Sequence, residues 1–202
     1  MSSYMQALKR TQQVVTPLVE PRRLAREVEA AAASASVPEI GALLDTLRAL
    51  AAQGTPARVV VFAPVAAGAA AREVVDALAG RARELRLPVA AAALARSGGG
   101  ATLAERGAAV RPPRTLDLDG PALGAAVGEW LSGAAAAQLV LIDAPPVLSS
   151  IDALLLAGAC DGLVLVAESG ATRRADLRTA AARVHAAGCR ALGVVLTRRH
   201  LM

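Results

Sequence analysis

Aromatic residues are nearly absent from this chain: one Phe, one Tyr and one Trp among 202 residues. That scarcity removes the aromatic platforms on which single-stranded nucleic acid stacks, and it leaves a core to be built from Ala, Val and Leu. Asparagine is missing altogether and Lys9 is the only lysine, so chemistry that needs a lysine in the body of the chain must find another cation. Cysteine is limited to Cys160 and Cys189. With no CxxC and no ligand spacing, the two read as small buried thiols, and neither a disulfide nor a metal site is expected. No run reaches the roughly 18 apolar residues that cross a bilayer, and the opening MSSYMQALKRTQQ lacks the apolar segment of a signal peptide. The expectation is a soluble, cytoplasmic protein.

What is present is alanine and arginine. The hydrophobic fraction is 54%, much of it alanine, and the formal net charge is +5. A basic balance suggests nucleic acid or an anionic surface, but the arginines are dispersed, with pairs at Arg22-Arg23, Arg173-Arg174 and Arg198-Arg199. A solvated, arginine-rich surface is the reading, and no specific nucleic acid is expected.

The length permits one well-buried core with a small appendage. Residues 1–56 read as a helical extension, with helical stretches at 3–15, 22–33 and 39–52 broken by Pro17 and Pro21. In the third, Ile40, Leu43, Leu44 and Leu47 fall on one face, expected to pack on the main domain or a partner. From Arg58 onward strand and helix alternate. Ala57–Pro64, Pro88–Leu94, Gln138–Ile142, Gly162–Ala167 and Leu192–Leu196 read as buried parallel strands. Helices are expected at 71–85, 121–132, 151–159 and 172–187, and residues 96–121 as a loose region in which Gly98-Gly-Gly is a flexible linker. Such alternation implies a mainly parallel sheet with helices on both faces and a ligand site at the carboxyl ends of the strands.

The stretch Leu139–Glu168, LVLIDAPPVLSSIDALLLAGACDGLVLVAE, carries the most information. A buried strand ends in Asp143 and a Pro-Pro turn, a short helix carries Asp152, and a second buried strand closes on Glu168. Ser149-Ser150 reads as a helix N-cap pair, since no histidine base is near enough in sequence to make a nucleophile. His185 and His200 have no companion ligand and read as surface or terminal residues. Trp130 reads as a packing anchor. The first strand is followed by Ala63-Pro-Val-Ala-Ala-Gly-Ala-Ala and a helix, the layout of a phosphate-binding loop, in which backbone N–H groups, a lysine and a Ser/Thr hydroxyl hold phosphates and Mg²⁺.

With these motifs the chain resembles the cytoplasmic kinase domain of the bacterial tyrosine kinases (BY-kinases) of capsule and exopolysaccharide synthesis, P-loop ATPases close to the MinD and ParA proteins. The resemblance spans about residues 57–199 and is strongest over 139–199, where DAPP, the Asp-Ala helix and the DGLVLV strand lie. It implies a three-layer P-loop NTPase-like α/β fold over residues 57–202. It also implies a cofactor pair, ATP and Mg²⁺, and as partner a membrane-bound polysaccharide chain-length or co-polymerase protein, or an active kinase homologue. Through such a partner the protein would reach the inner membrane.

Carried over residue by residue, the family's pattern meets gaps. The P-loop lysine falls on Ala69, the Mg-binding hydroxyl on Ala70 and a usual glycine on Ala66, with Gly68 retained. The Walker B aspartates of a strand ending Asp-Ala-Asp-Leu-Arg fall on Ala92 and Leu94, with Arg96 in place. The third acid is present as Asp143, and an asparagine after the last strand is Thr197. The family's oligomerisation helix, aligned at Glu39, has Ala42 and Asp45 where arginines belong, and the tyrosine-rich tail is replaced by RRHLM, with Tyr4 the only tyrosine. Gly68 and Asp143 are therefore the two candidate cofactor-binding residues, both vestigial, and no catalytic or metal-binding residue is assigned. Hydrogen bonds to charged groups contribute about 1.5–3 kcal/mol each, and about 1.4 kcal/mol is tenfold in affinity, so these losses together weaken MgATP binding by orders of magnitude. The expectation is an inactive BY-kinase-like scaffold or regulator. The alternatives are an active autokinase or ATPase in which Arg72 replaces the lysine, and a MinD/ParA-like positioning factor.

Overall fold

The computed structural model describes residues 40–52, 58–67, 71–97, 100–106, 114–117, 123–133 and 137–198. The helical stretches expected at 3–15 and 22–33 lie outside these, as do Lys9, Tyr4 and Glu39. The chain runs α1 (Ile40–Ala52), β1 (Val59–Pro64), α2 (Ala71–Glu84), β2 (Val89–Ser97), β3 (Gly100–Arg106) and β4 (Arg114–Leu116). It continues through α3 (Leu123–Gly133), β5 (Leu139–Asp143), α4 (Asp152–Ala157), β6 (Gly162–Ser169), α5 (Arg174–Ala186) and β7 (Ala191–Arg198).

The strands form one seven-stranded sheet in the order β4-β3-β2-β5-β1-β6-β7. Five are parallel, and β3 runs antiparallel to both β2 and β4. At its centre β1 is buried along its whole length, as a strand covered on both faces must be. Val61 lies opposite Ile142 on one side and Leu163 on the other.

Alternation along the strands divides the core into two halves. Val60, Phe62, Ala91, Leu139 and Leu141 face α1 and α2, where Leu44, Leu47, Val75 and Leu78 close over them. Val59, Val61, Ala92, Leu94, Val140 and Ile142 face α3, α4 and α5, packing with Trp130, Leu156 and Val184. The result is a three-layer α/β domain. The apolar face expected on the third helix covers the sheet through α2, and Trp130 is the packing anchor its context suggested.

Residues 96–121 differ from the sequence reading. β2 continues to Ser97, which pairs with Gly100 of the antiparallel β3, so much of the region expected to be loose is strand; Gly98 and Gly99 of the expected linker lie outside the described residues. Alternation is the mark of a strand, and β3 shows it: Ala101 and Leu103 are buried while Thr102 and Ala104 are half-exposed.

Candidate functional site

At the carboxyl edge of the parallel strands, chain order reverses around β1, with β5 on one side and β6 on the other. Ligands of open α/β sheets bind in such a crevice. The DAPP segment closes over it. Ala144 N–H donates to Phe62 O at 3.0 Å, Val147 N–H to Pro64 O at 2.9 Å and Leu148 N–H to Val65 O at 3.2 Å. Pro145 and Pro146 have no N–H to place, so the segment crosses the end of β1 with its donors used on either side of them. Arg183 of α5 holds the far side, its guanidinium donating to Val147 O at 3.1 Å and Leu148 O at 2.8 Å.

Asp143 ends β5 on the face shared with Leu139 and Leu141, towards α2. There it meets Arg106, the last residue of β3, whose Nη1 lies 3.7 Å from Asp143 Oδ2. The same guanidinium donates through Nη2 to Asp76 Oδ2 of α2 at 2.7 Å, and Arg72 Nε stands 3.9 Å from that oxygen. Asp143 and Arg106 are mostly buried, with side chains 19% and 18% exposed, whereas Arg72 is 75% exposed. Burial pushes the Asp143 carboxyl above its ordinary value. Arg106 and then Arg72 pull it back, and Asp76 adds a smaller push upwards. Among the described residues, Arg106 Nη1 is buried with no hydrogen-bond acceptor.

Ala92 and Leu94, on which the family's Walker B aspartates fall, belong to the opposite core from Asp143. Ala93 is the direct partner of Asp143, and Ala91 pairs with Leu141 on the same face. A one-residue shift in a strand turns every side chain to the other side, and no residue-type signal in an alanine-rich strand fixes the phase.

Arg96 at the far end of β2 does not join Asp143. Its guanidinium closes on both oxygens of Asp152, the Nε–Oδ2 bond being 2.9 Å and the second bond running from Nη2 to Oδ1. Asp152 is the one buried charged residue among those described. Arg96 holds its carboxyl below the ordinary value against the opposing effect of burial, with help from Ser150. The Ser149-Ser150 pair is not a formal cap: Ile151 occupies the cap position without a side-chain bond. Ser150 Oγ nonetheless accepts the Asp152 N–H at 3.0 Å.

Thr197 donates to Ala167 O at 3.2 Å, and Asp45 lies 3.7 Å from Arg48 on α1. Ala66 is described and half-buried; Gly68, Ala69, Ala70 and His200 lie outside the described residues. His185 is exposed on α5. Among the described residues no three His, Cys, Asp or Glu side chains come together as metal ligands. Sequence reasoning missed Arg106 and Asp76. The one signal for Arg106 was the short alternation in ATLAER, diluted by alanine; Asp76 had none.

A stretch of 59 residues is 36% identical to the tyrosine-protein kinase CpsD of Streptococcus agalactiae, covering 29% of this chain and 26% of that protein. The chain therefore spans about a quarter of this relative's length. The fold matches the kinase domain of the Escherichia coli tyrosine kinase ETK with a TM-score of 0.60 at 14% identity, covering 100% of this chain and 89% of that one. The chain has the fold of that kinase domain. The VpsO kinase domain shares the fold with a TM-score of 0.59 at 18% identity, over 80% of this chain and 94% of its own. No family model matches. In this chain the acid that ends β5 stands against an arginine, and its partners across the sheet are Ala93 on β2 and Phe62 on β1.

Proposed function

We propose that the chain is a BY-kinase-like protein that does not transfer phosphate and serves as a scaffold or regulator in capsule or exopolysaccharide assembly. The observation that carries this reading is Asp143, the one acid left of the family's metal-binding set, with Arg106 as its ionic partner. Phosphoryl transfer depends on positioning and on charge stabilisation by metal and lysine. Ala69 and Ala70 stand where lysine and hydroxyl belong, and a guanidinium already neutralises the remaining carboxylate. The residues therefore do not fit Mg²⁺ with ATP, and no phosphate-transfer step is derived from them.

The partner that fits this role is a membrane-bound co-polymerase protein or an active kinase homologue. Among the described residues no helix is long and apolar enough to cross a membrane, so membrane association would come through that partner. An arginine substituting for the lysine has less support, because Arg72 is largely exposed and turned towards Asp76. Incubation with MgATP followed by phosphopeptide mass spectrometry tests the reading. Unmodified Tyr4 and no phosphate elsewhere are expected; phosphotyrosine that disappears with Asp143→Ala would overturn it.

A further inference from the structure

We propose that Arg106 is a resident cation of this site, holding Asp143 and Asp76 where a divalent metal would otherwise sit, so that its removal opens the two carboxylates to metal. The inference rests on the reading above and names the residue that keeps the surviving acid closed.

Three observations converge. The first is reach. Arg106 pairs with Ala91 and Asp143 with Ala93, so β2 separates the two charged residues. On the face that Arg106 must cross, β2 presents methyl groups at both positions. A larger residue at Ala93 would stand between the guanidinium and the carboxylate.

The second is charge. One guanidinium bridges two carboxylates from different elements, Asp76 at 2.7 Å and Asp143 at 3.7 Å. A dication bound to Asp143 Oδ2 would lie only a few ångströms from Nη1, and like charges that close in a mostly buried crevice repel strongly. Arg106 and a metal therefore exclude each other.

The third is the geometry of the bridge. An arginine placed for pairing alone closes fork to fork on one carboxylate, as Arg96 does on Asp152. Arg106 instead straddles two acids and leaves its buried Nη1 without a hydrogen-bond acceptor among the described residues. Its place is set by the two negative charges, at the cost of one donor. Arg72 cannot replace it, because that side chain is solvated and its ion pair is with Asp76.

The test is Mn²⁺ titration of the full chain without nucleotide, followed by the loss of the free-ion paramagnetic resonance signal. Carboxylate oxygens suit Mn²⁺. The wild type and Arg106→Lys are expected to leave the signal unchanged. Arg106→Gln is expected to bind Mn²⁺ and deplete the free-ion signal, and Arg106→Gln with Asp143→Asn to lose that binding. Arg106→Met, which keeps the apolar stem over Ala91 and Ala93, is the second variant should the glutamine form not fold. Wild-type Mn²⁺ binding that Asp143→Asn abolishes overturns the inference, as does a folded Arg106→Gln or Arg106→Met protein with no gain. Failure of the underlying reading looks different: it appears as saturable MgATP binding by the wild type, whatever Mn²⁺ does to the variants.

Discussion

Replacing Arg96 with alanine should cost more stability than replacing its partner Asp152, although both substitutions delete the same ion pair. The side chain of Asp152 is 2% exposed and that of Arg96 60% exposed. Arg96→Ala leaves a carboxylate buried without its fork, whereas Asp152→Ala leaves an arginine that water can solvate. Removing one partner of a fully buried pair costs about 3–5 kcal/mol. The exposed half of this pair reduces that figure, and hydrogen bonds to charged groups contribute about 1.5–3 kcal/mol. Arg96→Ala is thus expected to lose about 2–3 kcal/mol at pH 7, and Asp152→Ala about 1 kcal/mol less. The pH dependence follows from the direction of the shift. In the wild type Arg96 holds the Asp152 carboxyl below its ordinary value, so the pair's contribution is present above that value and is lost as pH falls through the folded one. Without Arg96, burial dominates and raises the carboxyl, so the variant recovers as the acid protonates. The deficit should therefore shrink between pH 7 and pH 4. Urea unfolding followed by circular dichroism at both pH values measures it, provided the slope with denaturant is unchanged. A loss below about 0.5 kcal/mol, the range of ordinary surface substitutions, would refute the reasoning. So would a larger loss for Asp152→Ala, or a deficit that does not move with pH.

Two further outcomes are expected. A Cβ at Gly162 would meet Leu192 Cγ at 2.6 Å and Arg190 O at 3.0 Å, so Gly162→Ala should destabilise by about 1–3 kcal/mol in the same unfolding assay, with Leu192→Ala partly rescuing it. Burial pushes the Cys160 thiol up to about 12 and the Cys189 thiol to about 11. Thiolate is then scarce at neutral pH, and alkylation by iodoacetamide at pH 8 should be slow in the folded protein and rapid in denaturant.

The fold was legible in the sequence wherever burial was continuous. Val59-Val60-Val61-Phe62 and Leu139-Val140-Leu141-Ile142 admit no polar residue and announce a sheet covered on both faces, and the strands and helices that follow them lie close to where periodicity put them. Legibility failed where alanine replaced larger side chains. Pro88–Leu94 reads as a strand, but VAAAAL gives no alternation, so the facing of Ala92 and Leu94 could not be set from residue type. The antiparallel strand after it was hidden in the same way, because ATLAER carries only one large apolar residue, Leu103. Asp143 was found through its strand and its prolines. Arg106 and Asp76 were not, since they are far apart in sequence and meet only because β3 runs back along β2.

Isothermal titration of the wild-type chain with MgATP tests the central claim most directly. The account predicts no saturable heat at millimolar nucleotide. Micromolar binding, worth about 8 kcal/mol, and its loss in Asp143→Ala would contradict it.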